Sequence, residues 1–137
     1  MHELVFVIRD GFANSFNGTM MAASNLRQKG FDTAVVLVEE ALAAVSKDIF
    51  RLSPLLEEDR DMIFSSWEKK GRPTDIKGLI KMAKDAGVAI YACKAWVENL
   101  GITELPEGVE VIEMPEFYEM LAHARTVMGA FDIKLSR

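Results

Sequence analysis

A single cysteine among 137 residues leaves no partner for an internal disulfide, so this is not a stapled secreted scaffold, and the reducing cytoplasm is the expected setting. Basic residues are outnumbered. The 16 Lys plus Arg stand against 21 Asp plus Glu, a formal net charge of −5, with the signs interspersed and no basic stripe. Neither nucleic acid nor an anionic membrane surface is expected as a partner. The first apolar run, Leu4 to Ile8, is bracketed by Glu3 and Arg9 and is too short for a signal-peptide core or a membrane span. Histidine is scarce, and His2 and His123 belong to no visible metal-ligand or triad pattern, so no metal and no organic cofactor is expected. The loop "RDGFANSFNG" contains Gly11 and Gly18 but neither glycine-rich phosphate signature, which argues against a nucleotide site.

Apolar residues make up 50% of the chain, enough for a substantial core, and one domain over 1–137 is expected. "ELVFVI" (3–8) and "DTAVVLVE" (32–39) read as buried strands. Between them Phe16, Met20, Ala23 and Leu26 repeat at helical spacing and stop at Gly30. Leu42, Val45, Ile49 and Leu52 trace a second helix. Residues 53–73 break the rhythm with Ser53-Pro54, the charge run "EEDRD", Trp67 and a Gly-Arg-Pro stop, and are expected to be a helical excursion. Thr74 is the expected N-cap of a helix through Ile76, Leu79, Ile80 and Ala83. "VAIYAC" (88–93) and "VEVIEM" (109–114) are further strands, with a short helix from Ala95 to Leu100 between them. Pro115 opens a helix through Phe117, Leu121 and Ala124, and "FDIKLS" (131–136) closes as a fifth strand. Strands separated by helices pair in parallel through crossovers, so the expected fold is a three-layer α/β/α sandwich on a mostly parallel sheet of about five strands.

Ligands of such sheets bind beyond the carboxyl ends of the strands, and Cys93 stands at one. The start of the next helix, with Lys94 beside it, favours negative charge there and so favours the reactive thiolate. A free cysteine at a strand end is also a common packing residue, and position alone leaves both readings open. Arg9, Asn14 and Ser15 follow another strand and are candidates for the rim of the same face, as are Lys94 and Trp96. Apolar material such as Phe64, Trp67 and Trp96 exceeds what one small sheet with its helices covers, which points to a homo-oligomer.

The run from Cys93 over seven residues to Gly101 and Ile102, set on an apolar strand, resembles the cysteine segment of the DsrE/DsrF-like family of sulfur-relay proteins. "RQKGFDTAVVLVEE", "KDAGVAIYAC" and "LPEGVEVIEMPEFYEMLAHARTVMGAF" extend the resemblance over most of the chain outside 53–73. The resemblance implies sulfur transfer through a persulfide on Cys93, with donor and acceptor proteins as partners. Some relatives carry a second cysteine nearby, whereas Lys94, Ala95 and Trp96 follow here, so a local dithiol mechanism is unavailable. The alternatives are a non-catalytic oligomeric binding or scaffolding module with Cys93 inert, and a single-cysteine redox sensor.

Overall fold

The computed structural model describes residues 2–129 and 133–135. The run "LVFVI" forms β1 (Leu4–Ile8). In α1 (Ala13–Gln28), Phe16, Met20 and Ala23 fall on one face and are fully buried. Gly30, at φ 101°, turns the chain out of α1, so that the Phe31 N–H returns to the Leu26 carbonyl at 3.1 Å. Every residue of β2 (Thr33–Leu37) is buried, as in a strand covered on both faces.

The second helix is shorter than its apolar stripe suggests. α2 (Glu40–Lys47) ends where Asp48 takes a left-handed conformation, φ 54° and ψ 48°. Ile49 and Leu52 therefore lie off the helix, and Leu52 packs with Ala13 and Trp67 instead. The excursion contains α3 (Pro54–Glu57) and α4 (Arg60–Lys69). The next helix, α5 (Ile76–Asp85), is capped by Asp75 and not by Thr74, because the Asp75 carboxylate accepts the Gly78 N–H at 2.7 Å.

The chain continues through β3 (Ala89–Cys93), α6 (Lys94–Asn99), β4 (Val109–Ile112) and α7 (Met114–His123). Helix α7 takes up Met114, which the apolar pattern assigned to the strand. A strand not expected from the sequence, β5 (Thr126–Gly129), follows; the Arg125 and Thr126 N–H groups both meet the Glu3 carbonyl and set it beside β1. The closing strand expected over 131–136 is β6 (Ile133–Leu135), the rest of that span lying outside the described residues.

The sheet has six strands in the order β4-β3-β2-β1-β5-β6, parallel except for the β5–β6 pair. The three layers are unequal. On one face Phe6, Ile8, Val35, Leu37, Ile90 and Ala92 pack against α1, α2 and α5. On the other, Val5, Ala34, Val36, Cys93 and Ile112 pack against Phe117 and Met120 of α7, the one helix of that layer among the described residues. A single helix leaves Val7, Ala89 and Tyr91 half-buried. No helix among the described residues is long and apolar enough to cross a membrane.

Candidate functional site

The parallel register brings the carboxyl ends of β1 to β4 to one edge, with Ile8 opposite Leu37, Leu37 opposite Ala92, and Cys93 opposite Ile112. The chain leaves each strand there. Two ion pairs tie neighbouring exits together. Arg9 after β1 holds Glu39 after β2 through two contacts, Nε to Oε2 at 2.9 Å and Nη2 to Oε1 at 3.5 Å. Lys94 after β3 holds Glu113 after β4 at 2.9 Å. The Glu113 hydrogen bond, helped by its charge, raises the Lys94 ammonium above its usual range.

Glu39 turns the chain from β2 into α2 at φ 54° and ψ −130°, a region that non-glycine residues seldom enter. The loop after β1 is pressed against this turn. A Cβ on Gly11 would lie 2.9 Å from the Glu40 carbonyl oxygen, so the close approach requires glycine.

Cys93 ends β3 and is the N-cap residue of α6. Its side chain points to the face carrying α7 and is 1% exposed. The Sγ donates a hydrogen bond to the Met114 Sδ at 3.0 Å, and Met114, the first residue of α7, is itself half-exposed. The buried sulfur is thus in direct contact with a flexible, partly exposed side chain.

The other residues singled out in the sequence divide. Lys94 flanks Cys93 directly, and Trp96 is half-buried against both sheet faces at this end of the sheet. Arg9 shares the edge but follows β1, two strands from β3. It lies beside the place where strand order reverses, between β1 and β5, the usual ligand crevice of open parallel sheets. Asn14 and Ser15 have local roles. The Asn14 Oδ1 accepts the Ser53 N–H at 3.0 Å, and the Ser15 hydroxyl donates to Asp10 at 2.9 Å, where the same carboxylate also accepts the Phe12 N–H. The excursion packs through Trp67 on Leu52 and on Ala13 of α1, in the layer across the sheet from the Cys93 sulfur. Phe50, Phe64 and Trp67 form an aromatic cluster there, with Phe64 and Trp67 centroids 5.1 Å apart. Met114 and Glu113 were not singled out in the sequence. Only the adjacency of β3 and β4 places them at Cys93, and strand adjacency has no local signal.

His2, which shows no constellation in the sequence, joins one in space. Its Nδ1 lies 2.8 Å from the Asp32 carboxylate and its Nε2 lies 3.0 Å from the Tyr91 hydroxyl. Tyr91 is two residues before Cys93 on the same sheet face, and the trio closes part of the surface that α7 leaves open. Burial, followed by the charges of Glu110, Asp32 and Glu116, raises the Tyr91 phenol above its ordinary value. The unfolded chain therefore loses this proton first, and stability should fall as pH rises from about 10 through the folded-state value. Thermal midpoints measured across that range should decline more steeply for the wild type than for Tyr91→Phe. Parallel declines would sink the assignment.

The sequence profile of the DsrE/DsrF-like family matches residues 2–129. Among solved structures, the chain is similar to the ychN protein from E. coli, at 20% identity and a TM-score of 0.63, covering 94% of this chain and 99% of that one. It is also similar to BT1422 from Bacteroides thetaiotaomicron, a conserved protein of unknown function, at 15% identity and a TM-score of 0.59, covering 93% and 94% of the two chains. At these identities the likeness is one of fold. No curated protein sequence matches the chain.

Proposed function

The chain belongs to the DsrE/DsrF-like family, and from that premise we propose that it is a sulfur-relay protein carrying sulfane sulfur as a persulfide on Cys93. The observation that carries the reading is the placement of the only cysteine. It stands at the carboxyl end of a parallel strand and at the start of a helix, in contact with the partly exposed Met114. In the first step the Cys93 thiolate attacks the outer sulfur of a donor persulfide. A new S–S bond forms on Cys93, the donor S–S bond breaks, and the donor leaves as a thiolate that takes up a proton. An acceptor thiolate then attacks the outer sulfur on Cys93, and Cys93 leaves as thiolate. One cysteine suffices for both steps, with donor and acceptor supplied by other proteins. Intact mass after incubation with inorganic polysulfide tests the reading: one sulfur added per chain, removed by reductant, supports it.

The 1% exposure of Cys93 favours a second reading, a binding module of the same fold in which the thiol is inert packing. A thiol that resists both polysulfide and alkylation until the chain is denatured would establish that reading in place of the first.

Self-association accompanies the proposal. Leu55 and Met62, on the two helices of the excursion, are 87% and 68% exposed, and Tyr118 of α7 is 59% exposed. Light scattering at high protein concentration should return a multiple of the monomer mass. A monomer mass would remove the assembly from the proposal.

A further inference from the structure

We propose that Met114 is a lid over Cys93 and that the Lys94–Glu113 ion pair is the latch that seats it. The register supplies the framework: Cys93 and Ile112 are partners on β3 and β4, so the residues that follow them leave the sheet side by side. Lys94 and Glu113 close the gap between the two exits at 2.9 Å. Met114, next in sequence to Glu113, then lies with its Sδ 3.0 Å from the Cys93 Sγ. The cluster that holds Cys93 also contains Val36, Val38, Ile112 and Phe117, with the half-buried Ala95 and Trp96 of α6 packed against it. Met114, partly exposed and in direct contact with the sulfur, is an unbranched, adaptable side chain suited to moving aside.

Two physical consequences follow. A second sulfur bonded to Cys93 sits about 2.05 Å from Sγ. That is well inside the 3.0 Å at which the Met114 sulfur now stands, so loading on this side requires the lid to move. The S–H···S contact itself must also break, because a Cys93 sulfur that carries a second sulfur has no hydrogen to donate to Met114. The latch is suited to opening. Both partners are about half exposed, with side-chain exposures of 44% and 54%, and ion pairs so exposed are weak and screened by salt.

The lid rests on the reading of Cys93 as a sulfur carrier, but its test does not. Native-state alkylation by iodoacetamide, followed by intact mass, reports access to the thiol without any sulfane sulfur. If the lid is closed in nine molecules of ten, Met114→Ala should label about tenfold faster than the wild type, since the reactive fraction scales the rate. Met114→Leu, which refills the space, should stay close to the wild type. Glu113→Gln leaves the core untouched and should label faster than the wild type, and high salt should speed the wild type but not this variant. The proposal is overturned if Met114→Ala labels at the wild-type rate, or if its gain only tracks global stability lost in denaturant unfolding. It is equally overturned if both Glu113→Gln and salt leave labelling unchanged. Faster alkylation of Met114→Ala with no polysulfide adduct in either protein would keep the lid and discard the carrier. Adduct formation at equal rates in both would keep the carrier and discard the lid.

Discussion

With serine in place of Cys93 the chain stays folded and takes up no sulfane sulfur, whereas the wild type gains about 32 Da for each sulfur carried, and reductant removes the gain. The effect is all or none because no other thiol is present. A serine oxygen cannot hold a persulfide. Serine differs from cysteine by one atom, so packing among Val36, Ile112 and Phe117 is largely kept. The hydroxyl faces the Met114 thioether, a weak acceptor, and a buried polar group so poorly satisfied costs about 1–3 kcal/mol. A domain with about 5–15 kcal/mol of stability survives that loss. Circular dichroism should therefore show a native spectrum, and Cys93→Ala, which buries no hydroxyl, serves as a second non-loading control. The prediction fails if the native wild-type chain takes up no sulfur under conditions that load the denatured chain.

Truncating Phe16 to alanine should cost about 3–5 kcal/mol, the range for deleting a buried aromatic ring and leaving a cavity. For a chain of this size the thermal midpoint should fall on the order of 10–20 °C. Phe16 is fully buried near the start of α1, in the cluster that joins α1, α2 and α5 to β1, β2 and β3. Leu55 is the matched control: it is equally apolar but 87% exposed, and Leu55→Ala should change stability by no more than about 0.5 kcal/mol. Denaturant unfolding of the two variants decides the matter. Similar losses would mean that the α1 layer is not where the stability of the fold resides.

The parts of the fold visible in the sequence are those whose cause is local. Apolar runs of strand length announced β1 to β4, and period-3.6 stripes announced α1, α5 and α7, because each element must bury one face and only certain spacings allow it. The misses have local explanations too. The stripe Leu42, Val45, Ile49, Leu52 continues past the end of α2 because Asp48 reverses the backbone while the apolar spacing carries on. β5 was hidden because "TVMG" continues a helical pattern, and it becomes a strand only by pairing with β1, more than a hundred residues earlier in the chain.

By itself the sequence determined that there is one thiol, that it ends an apolar strand, and that a helix begins directly after it; these are properties of neighbours along the chain. The tertiary structure decided what stands against that thiol. Strand order put β4 beside β3, which brought Glu113 to Lys94 and Met114 to Cys93, and it placed β1 between β2 and β5, which moved Arg9 away from the cysteine. It also gathered His2, Asp32 and Tyr91 from three separate strand regions. Backbone propensity and hydrophobic period act over a few residues, whereas strand order is fixed by how whole faces pack together, and for that reason the surroundings of Cys93 could be read only in the folded chain.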